Sequence, residues 1–169
     1  ALGLDKGRGE VDKNKRVLAV IGDSTFLHMG MQGLLDITYN RGNVTVLLLD
    51  NNTVGMTGGQ ATPACGKDIH GQPAPQIDIA KVVEALGIPP ERIKLVDPYE
   101  LPVLFKTIRD EIKVEEPSVI IARRPCVLID DFKPFRPYLG EEDRCTGCGN
   151  CIEVGCPAIH VTRRDKVVK

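Results

Sequence analysis

Short apolar runs alternate with stretches whose apolar residues recur at helical spacing. Arg16–Ile21 carries Val17, Leu18, Val20 and Ile21 in a run that predicts a buried strand. Leu27–Asn40 sets Leu27, Met31, Leu34, Leu35 and Thr38 near one helix face, and Asn43–Leu49 is a second apolar strand. Strand, helix and strand joined in this way form a right-handed crossover, so both strands run parallel and end on the same side of the sheet. Asp78 is placed to cap a helix over Ile79–Leu86, with Val82, Val83 and Leu86 facing inward and Gly87 stopping it. Arg92–Val96 reads as a short strand and Pro117–Ala122 as a last buried one. Between them Glu100–Lys113 shows Leu101, Leu104, Phe105, Ile108 and Ile112 at helical spacing. The pattern predicts an α/β fold, β-α-β-α-β-α-β, with a parallel sheet and helices on both faces.

Around this core the punctuation changes. Leu2-Gly3-Leu4, followed by the charged and glycine-bearing Asp5–Lys15, reads as the end of a helix and a loop entering the first strand. Ala1 is not an initiator methionine, and the chain reads as a piece of a longer polypeptide cut at both ends. Half of the twelve prolines fall in Pro63–Pro75 and Pro125–Pro137, which marks both stretches as loops. Thr53–Gln76 is a long loop of the kind that carries function. The expected division is an α/β unit over 1–123, a linker over 124–139 and a small cysteine-bearing module over 140–169.

The first chemical signal lies at the strand ends. Gly22-Asp23-Ser24 is followed by twenty-six residues and then by Asn51-Asn52, with Met56-Thr57-Gly58-Gly59-Gln60 closing the stretch. The crossover brings Asp23 and Asn51 side by side at the carboxyl edge, where open α/β sheets bind ligands. Mg²⁺ takes oxygen ligands, typically a carboxylate or two together with phosphate oxygens and water. Asp23 offers the carboxylate, Asn51 a neutral amide oxygen and Thr53 a main-chain carbonyl. Gly55, Gly58 and Gly59 let the backbone approach an anion without a Cβ in the way. Each half alone is equally a strand-end turn; the two together, at this spacing, favour a site for Mg²⁺ on a diphosphate.

Gly22-Asp23-Ser24 with Asp50-Asn51-Asn52-Thr53-Val54-Gly55-Met56-Thr57-Gly58-Gly59-Gln60 resembles the thiamin-diphosphate motif of the 2-oxoacid:ferredoxin oxidoreductases. The resemblance implies Asp23, Asn51 and the Thr53 carbonyl as Mg²⁺ ligands, with Thr57–Gln60 near the cofactor. Ser24 departs from the second glycine found in many thiamin enzymes, and is small enough to keep the reading. The resemblance also implies that 1–123 is the C-terminal part of a thiamin-diphosphate domain. The glutamate that activates the cofactor would lie outside this chain, so its catalytic residues are unassigned and the piece is expected to be inactive alone.

Cys145-x-x-Cys148-x-x-Cys151-x₄-Cys156-Pro157 is the second signal. Three thiolates at two-residue gaps and a fourth before proline form the bacterial ferredoxin signature, with one residue more than usual in the last gap. A zinc site would place two close pairs apart, and a disulfide fits poorly with a chain that shows no secretory signal. A 4Fe–4S cluster on Cys145, Cys148 and Cys151 is the expectation, with Cys156 directed to this or another cluster. No second motif follows, so 140–169 reads as the first half of a ferredoxin module.

Composition narrows the partners. Of 169 residues 42 % are hydrophobic, enough for a core, and no apolar run is long enough to span a bilayer. The net charge of −1 invites neither nucleic acid nor an anionic membrane. Six cysteines without a signal peptide point to a reducing, cytoplasmic setting. His28 contacts a ligand or simply packs at the helix start. Cys65 and His70 share a loop without a compelling pairing, His160 is expected to point outward, and Cys126 is expected to pack as a small apolar residue. Arg123-Arg124 reads equally as a docking patch or a solvated strand end.

Module order and Ile120-Ile121-Ala122-Arg123-Arg124-Pro125-Cys126 are similar to the large (α) subunit of indolepyruvate:ferredoxin oxidoreductases. That resemblance covers about Lys15 to Val161. It implies oxidative decarboxylation of arylpyruvates to aryl-acetyl-coenzyme A and CO₂, with electrons passed to ferredoxin, and a smaller β subunit as partner. Another 2-oxoacid, such as pyruvate, and a non-catalytic iron–sulfur electron-transfer adaptor are the alternatives.

Overall fold

A computed structural model of the chain describes residues 1–7, 16–128 and 141–155, and the backbone of 160–161 and 167–168. The chain divides into two compact units, Ala1–Phe132 and Lys133–Lys169.

The first unit is built on four parallel strands: β1 (Val17–Gly22), β2 (Val44–Asp50), β3 (Ile93–Val96) and β4 (Ser118–Arg123), in the order β1-β2-β4-β3. β2 and β4 are central, and their near-continuous apolar sequences follow from having both faces covered. Helix α1 (Leu2–Gly7) precedes the sheet, as the Leu2-Gly3-Leu4 reading anticipates. Its Asp5 accepts the Asn43 N–H at 2.9 Å, and Lys6 donates to the Arg41 carbonyl at 3.0 Å.

On one face, Phe26, Leu34, Ile37, Ile79 and Val83 pack against Val44, Val46, Leu48, Val119 and Ile121. Helix α4 (Ile79–Ala85) contributes Ile79 and Val83, and Asp78 caps it as expected by accepting the Ala80 N–H at 3.0 Å. On the other face α5 (Leu101–Glu111) lays Leu104 and Ile108 over Leu47, Val96, Ile120 and Ala122. The α/β alternation, the parallel sheet and helices on both faces are therefore as the sequence predicts.

Three packing expectations are corrected. β1 is an edge strand: Leu18 and Val20 lie exposed, and Val17, Ala19 and Ile21 on the other face are only partly buried against the core. The first helix starts earlier than Leu27: α2 (Asp23–Thr25) runs through a π-helical turn (Phe26–Gly30) into α3 (Met31–Tyr39). The wider turn shifts the inward face to Phe26, Leu34 and Ile37, and leaves Leu35 outside. Gly30 lets the turn pack closely, since a Cβ there would stand 2.6 Å from Ile21 Cδ1 and 3.2 Å from Phe26 Cδ2, and both side chains would have to shift. In α5, Leu101 and Phe105 are exposed although they share the helical spacing of Leu104 and Ile108.

In the second unit, a 3₁₀ turn (Glu142–Arg144) leads into the cysteine loop and the short α6 (Asn150–Glu153). β5 (His160–Val161) and β6 (Val167–Val168) pair antiparallel. Residues 129–140 of the expected linker, and Cys156, lie outside the described residues.

Candidate functional site

The register of β1 on β2 pairs Gly22 with Leu49, so Asp23 and Asp50–Asn51 emerge together at the carboxyl edge of the sheet. Asp23 opens α2 and is buried, 4 % exposed. Its Oδ1 accepts the Ser24 N–H at 2.7 Å, while Oδ2 is buried with no partner. Burial pushes its carboxyl above the usual 3.8; the Ser24 N–H pulls it back, the Asp50 carboxylate pushes it further up, and the Asn52 and Asn51 N–H groups offset part of this. Ser24 Oγ is also buried without a partner. Gly22, in extended conformation before the helix, leaves open space where a Cβ would stand.

The turn after β2 is closely specified. Asn51 Oδ1 accepts the Thr53 N–H at 3.2 Å, and Asn52 takes a left-handed conformation, φ 61°. Thr53 is buried, and its hydroxyl donates to the Gln60 carbonyl at 3.1 Å. Val54 and Gln60 form an antiparallel bridge that closes the loop around a 3₁₀ turn, Gly55–Thr57. Gly58 (φ 113°) and Gly59 (φ 80°) make the return, a conformation that a β-carbon disfavours. Thr57 Oγ1 donates to Gln60 Oε1 at 2.6 Å. A Cβ on Gly55 would lie 3.4 Å from Asn51 Nδ2 and 3.5 Å from Cys126 Sγ, so this glycine lies against the Asn51 amide.

Two pockets open beside this turn. One, about 470 Å³, has Asn52, Thr53, Gly59 and Gln60 on one side and Cys65 and Lys67 of the long loop on the other. The second, about 270 Å³, is walled by Asp50, Asn52, Gln76, Asp78 and Arg123.

Sequence reasoning missed Asp50, whose side chain is 1 % exposed. Its Oδ2 is 2.6 Å from Arg123 Nε, and its Oδ1 is buried without a partner. Arg123 is thus paired to a buried acid rather than merely solvated, with 37 % of its side chain left exposed. Arg124 pairs with Asp97 at 2.6 Å and lies 4.0 Å over the Tyr99 ring, so it too is paired rather than a free strand-end charge. The available signal was an acid ending β2 and a base ending β4, which the strand register places opposite one another. Cys126 is half-buried beside the site and donates its main-chain N–H to the Asn51 carbonyl at 3.1 Å.

His28 is exposed, with Nδ1 2.6 Å from the Ser24 carbonyl oxygen. Cys65 accepts the Thr62 N–H and donates to the Lys67 carbonyl, and the His70 N–H goes to Asp68, so each residue serves its own turn. In the second unit, Cys145 and Cys151 are half-buried and Cys148 is exposed, on a loop turned by left-handed Gly147 (φ 71°) and Gly149 (φ 79°). Among the described residues no three His, Cys, Asp or Glu side chains gather as a metal group. The His160 side chain lies outside the described residues.

Residues 1–122 match the family described as thiamine pyrophosphate enzyme, C-terminal TPP binding domain. The chain belongs to this family. It is 38 % identical over 167 residues to the indolepyruvate oxidoreductase subunit IorA of Pyrococcus horikoshii, and 40 % identical over 165 residues to that of Pyrococcus abyssi. These alignments cover 95 % and 93 % of this chain, which spans about a quarter of the length of either relative (25 %). Its fold is similar to that of a 2-oxoglutarate:ferredoxin oxidoreductase from Magnetococcus marinus, solved with 2-oxoglutarate, coenzyme A and succinyl-CoA bound. The TM-score is 0.60 at 17 % identity, covering 75 % of this chain and 45 % of that one. A thiamine diphosphate-dependent 4-hydroxybenzoylformate decarboxylase from Rhodococcus jostii aligns with a TM-score of 0.51 at 21 % identity, over 74 % and 22 % of the two chains. Among the described residues no helix is long and apolar enough to cross a membrane.

Proposed function

We propose that this chain is the Mg²⁺- and diphosphate-holding part of a thiamin-diphosphate-dependent 2-oxoacid:ferredoxin oxidoreductase that acts on arylpyruvates such as indolepyruvate. The observation that carries the reading is the buried, partnerless Oδ2 of Asp23 beside the Asn51–Thr53 turn. A carboxylate held out of water with one oxygen unused is costly unless a cation completes it.

The residues fit the group. Asp23, the Asn51 amide oxygen and the Thr53 carbonyl are all hard oxygen donors, the set that Mg²⁺ takes alongside phosphate oxygens. Only one of the three is a carboxylate. Gly22, Gly55, Gly58 and Gly59 keep β-carbons away from the diphosphate, and Ser24 and Thr57 add small hydroxyls at the rim. Thiamin diphosphate, when bound, supplies the electron sink for loss of CO₂ from a 2-oxoacid. This chain's contribution is to fix the cofactor's anionic end and to hold the Thr53–Gln60 loop closed against it.

The arylpyruvate assignment is supported by the IorA relatives, and a smaller β subunit, coenzyme A and ferredoxin are the partners it entails. A 4Fe–4S cluster on Cys145, Cys148 and Cys151, with Cys156 serving this or another cluster, is supported by their spacing and by the left-handed glycines that turn the loop. A cytoplasmic location is part of the same reading. The test uses the full-length protein with its partner subunit under anaerobic conditions. Coenzyme A-dependent ferredoxin reduction is followed with indolepyruvate, phenylpyruvate, pyruvate and 2-oxoglutarate. Preference for the aryl acids is expected; preference for pyruvate or 2-oxoglutarate would replace the substrate, and no reduction with any would overturn the oxidoreductase reading.

A further inference from the structure

The main chain of Asn51 is held from the β4 side. The ladder between β2 and β4 ends at the pair Asp50 and Arg123. Beyond it the chain stays alongside: the Arg124 N–H donates to the Asp50 carbonyl at 3.0 Å and the Cys126 N–H to the Asn51 carbonyl at 3.1 Å. The side chains reinforce this. Asp50 is buried and directed to Arg123, and Nε meets Oδ2 at 2.6 Å. Across the turn, a Cβ on Gly55 would stand 3.4 Å from the Asn51 amide nitrogen, and the Thr53 N–H orients Oδ1.

An ion pair at a solvated strand end contributes little to a fold. This one differs because its acid is out of water and adjoins, in sequence, a residue assigned to the metal. Movement of Asp50 would carry the Asn51 amide with it.

We propose that Arg123 is a positioning residue for the metal turn, acting through Asp50 to set the Asn51 oxygen at the distance Mg²⁺ requires. The proposal rests on the Mg²⁺ site given under Proposed function. Partners that orient a metal ligand are worth about 10–100-fold in metal affinity. The test uses the full-length protein and measures the Mg²⁺ concentration at which half the protein retains thiamin diphosphate in equilibrium dialysis. Arg123→Met is expected to raise that concentration by about 10–100-fold, and Arg123→Lys, which keeps a cation, is expected to raise it less.

Arg123→Met leaves a buried unpaired acid, so the double variant Asp50→Asn with Arg123→Met removes the stranded charge. Its melting temperature without metal is expected to recover while its Mg²⁺ requirement stays raised. An unchanged Mg²⁺ requirement in either Met variant would reduce the pair to a structural contact and overturn the proposal. Asp23→Ala separates the two claims: Mg²⁺-dependent retention that persists in it refutes the underlying site and the inference with it. Loss there, with no change at Arg123, refutes the inference alone.

Discussion

Replacing Asp23 by Asn should stabilise the metal-free chain while abolishing its response to Mg²⁺ and thiamin diphosphate. The amide oxygen can keep the 2.7 Å bond from the Ser24 N–H, so the start of α2 is retained. What changes is the other oxygen, buried, charged and partnerless. A buried unsatisfied polar group costs about 1–3 kcal/mol, and more when charged. Exchanging a charged orphan for a neutral one, beside the Asp50 carboxylate, is expected to recover about 1 kcal/mol. For a chain of 169 residues this is a rise of about 2–4 °C in Tm. The assay is thermal unfolding by far-UV circular dichroism in EDTA. Because the folded state holds the Asp23 proton more tightly than the unfolded state, its stabilising share is full below 3.8 and is lost as pH rises through the raised value. The gap between variant and parent should therefore close in acid and open towards neutrality. With Mg²⁺ and thiamin diphosphate at a hundred times Kd, the parent should gain about 2.7 kcal/mol and the variant almost nothing. A variant that melts below the parent in EDTA, or that gains as much from the ligands, would refute the reasoning.

Other perturbations have defined outcomes. Asp78→Ala removes the cap on the Ala80 N–H and should cost about 1 kcal/mol in urea unfolding. Gly59→Ala has room, since the new Cβ would lie 3.8 Å from Thr53 Oγ1. Its cost is the left-handed backbone, about 1–2 kcal/mol, and diphosphate retention should fall because the loop that closes on the site is strained. Cys148→Ser should abolish iron uptake on anaerobic reconstitution while leaving the far-UV spectrum of the α/β unit intact; loss of that spectrum would contradict two separable modules.

The α/β order was legible because β2 and β4 are apolar on both faces and the helices carry a clear period. What escaped depends on the third dimension. Val20 and Val46 look alike in sequence, yet one lies on an edge strand and the other under α3. The π-helical turn moves Phe26 and Ile37 inward, and a regular helical period cannot register it. At the site, Asp23, Asn51 and the glycines could be read because Mg²⁺ and a diphosphate demand those residue types near one another. Asp50, Arg123 and Cys126 were missed because their roles arise from the pairing of β2 with β4 across more than seventy residues, and the acid and base that end those strands signal it only once the strands are set side by side. The cysteine motif was legible as spacing alone, and its fourth member lies outside the described residues.

The most direct test of the central claim is a crystal of the chain grown with thiamin diphosphate and Mn²⁺ in place of Mg²⁺. The account predicts one anomalous peak about 2.1 Å from Asp23 Oδ2, Asn51 Oδ1 and the Thr53 carbonyl oxygen, with diphosphate oxygens completing the shell. A diphosphate bound elsewhere, or a metal that does not touch Asp23, would contradict it.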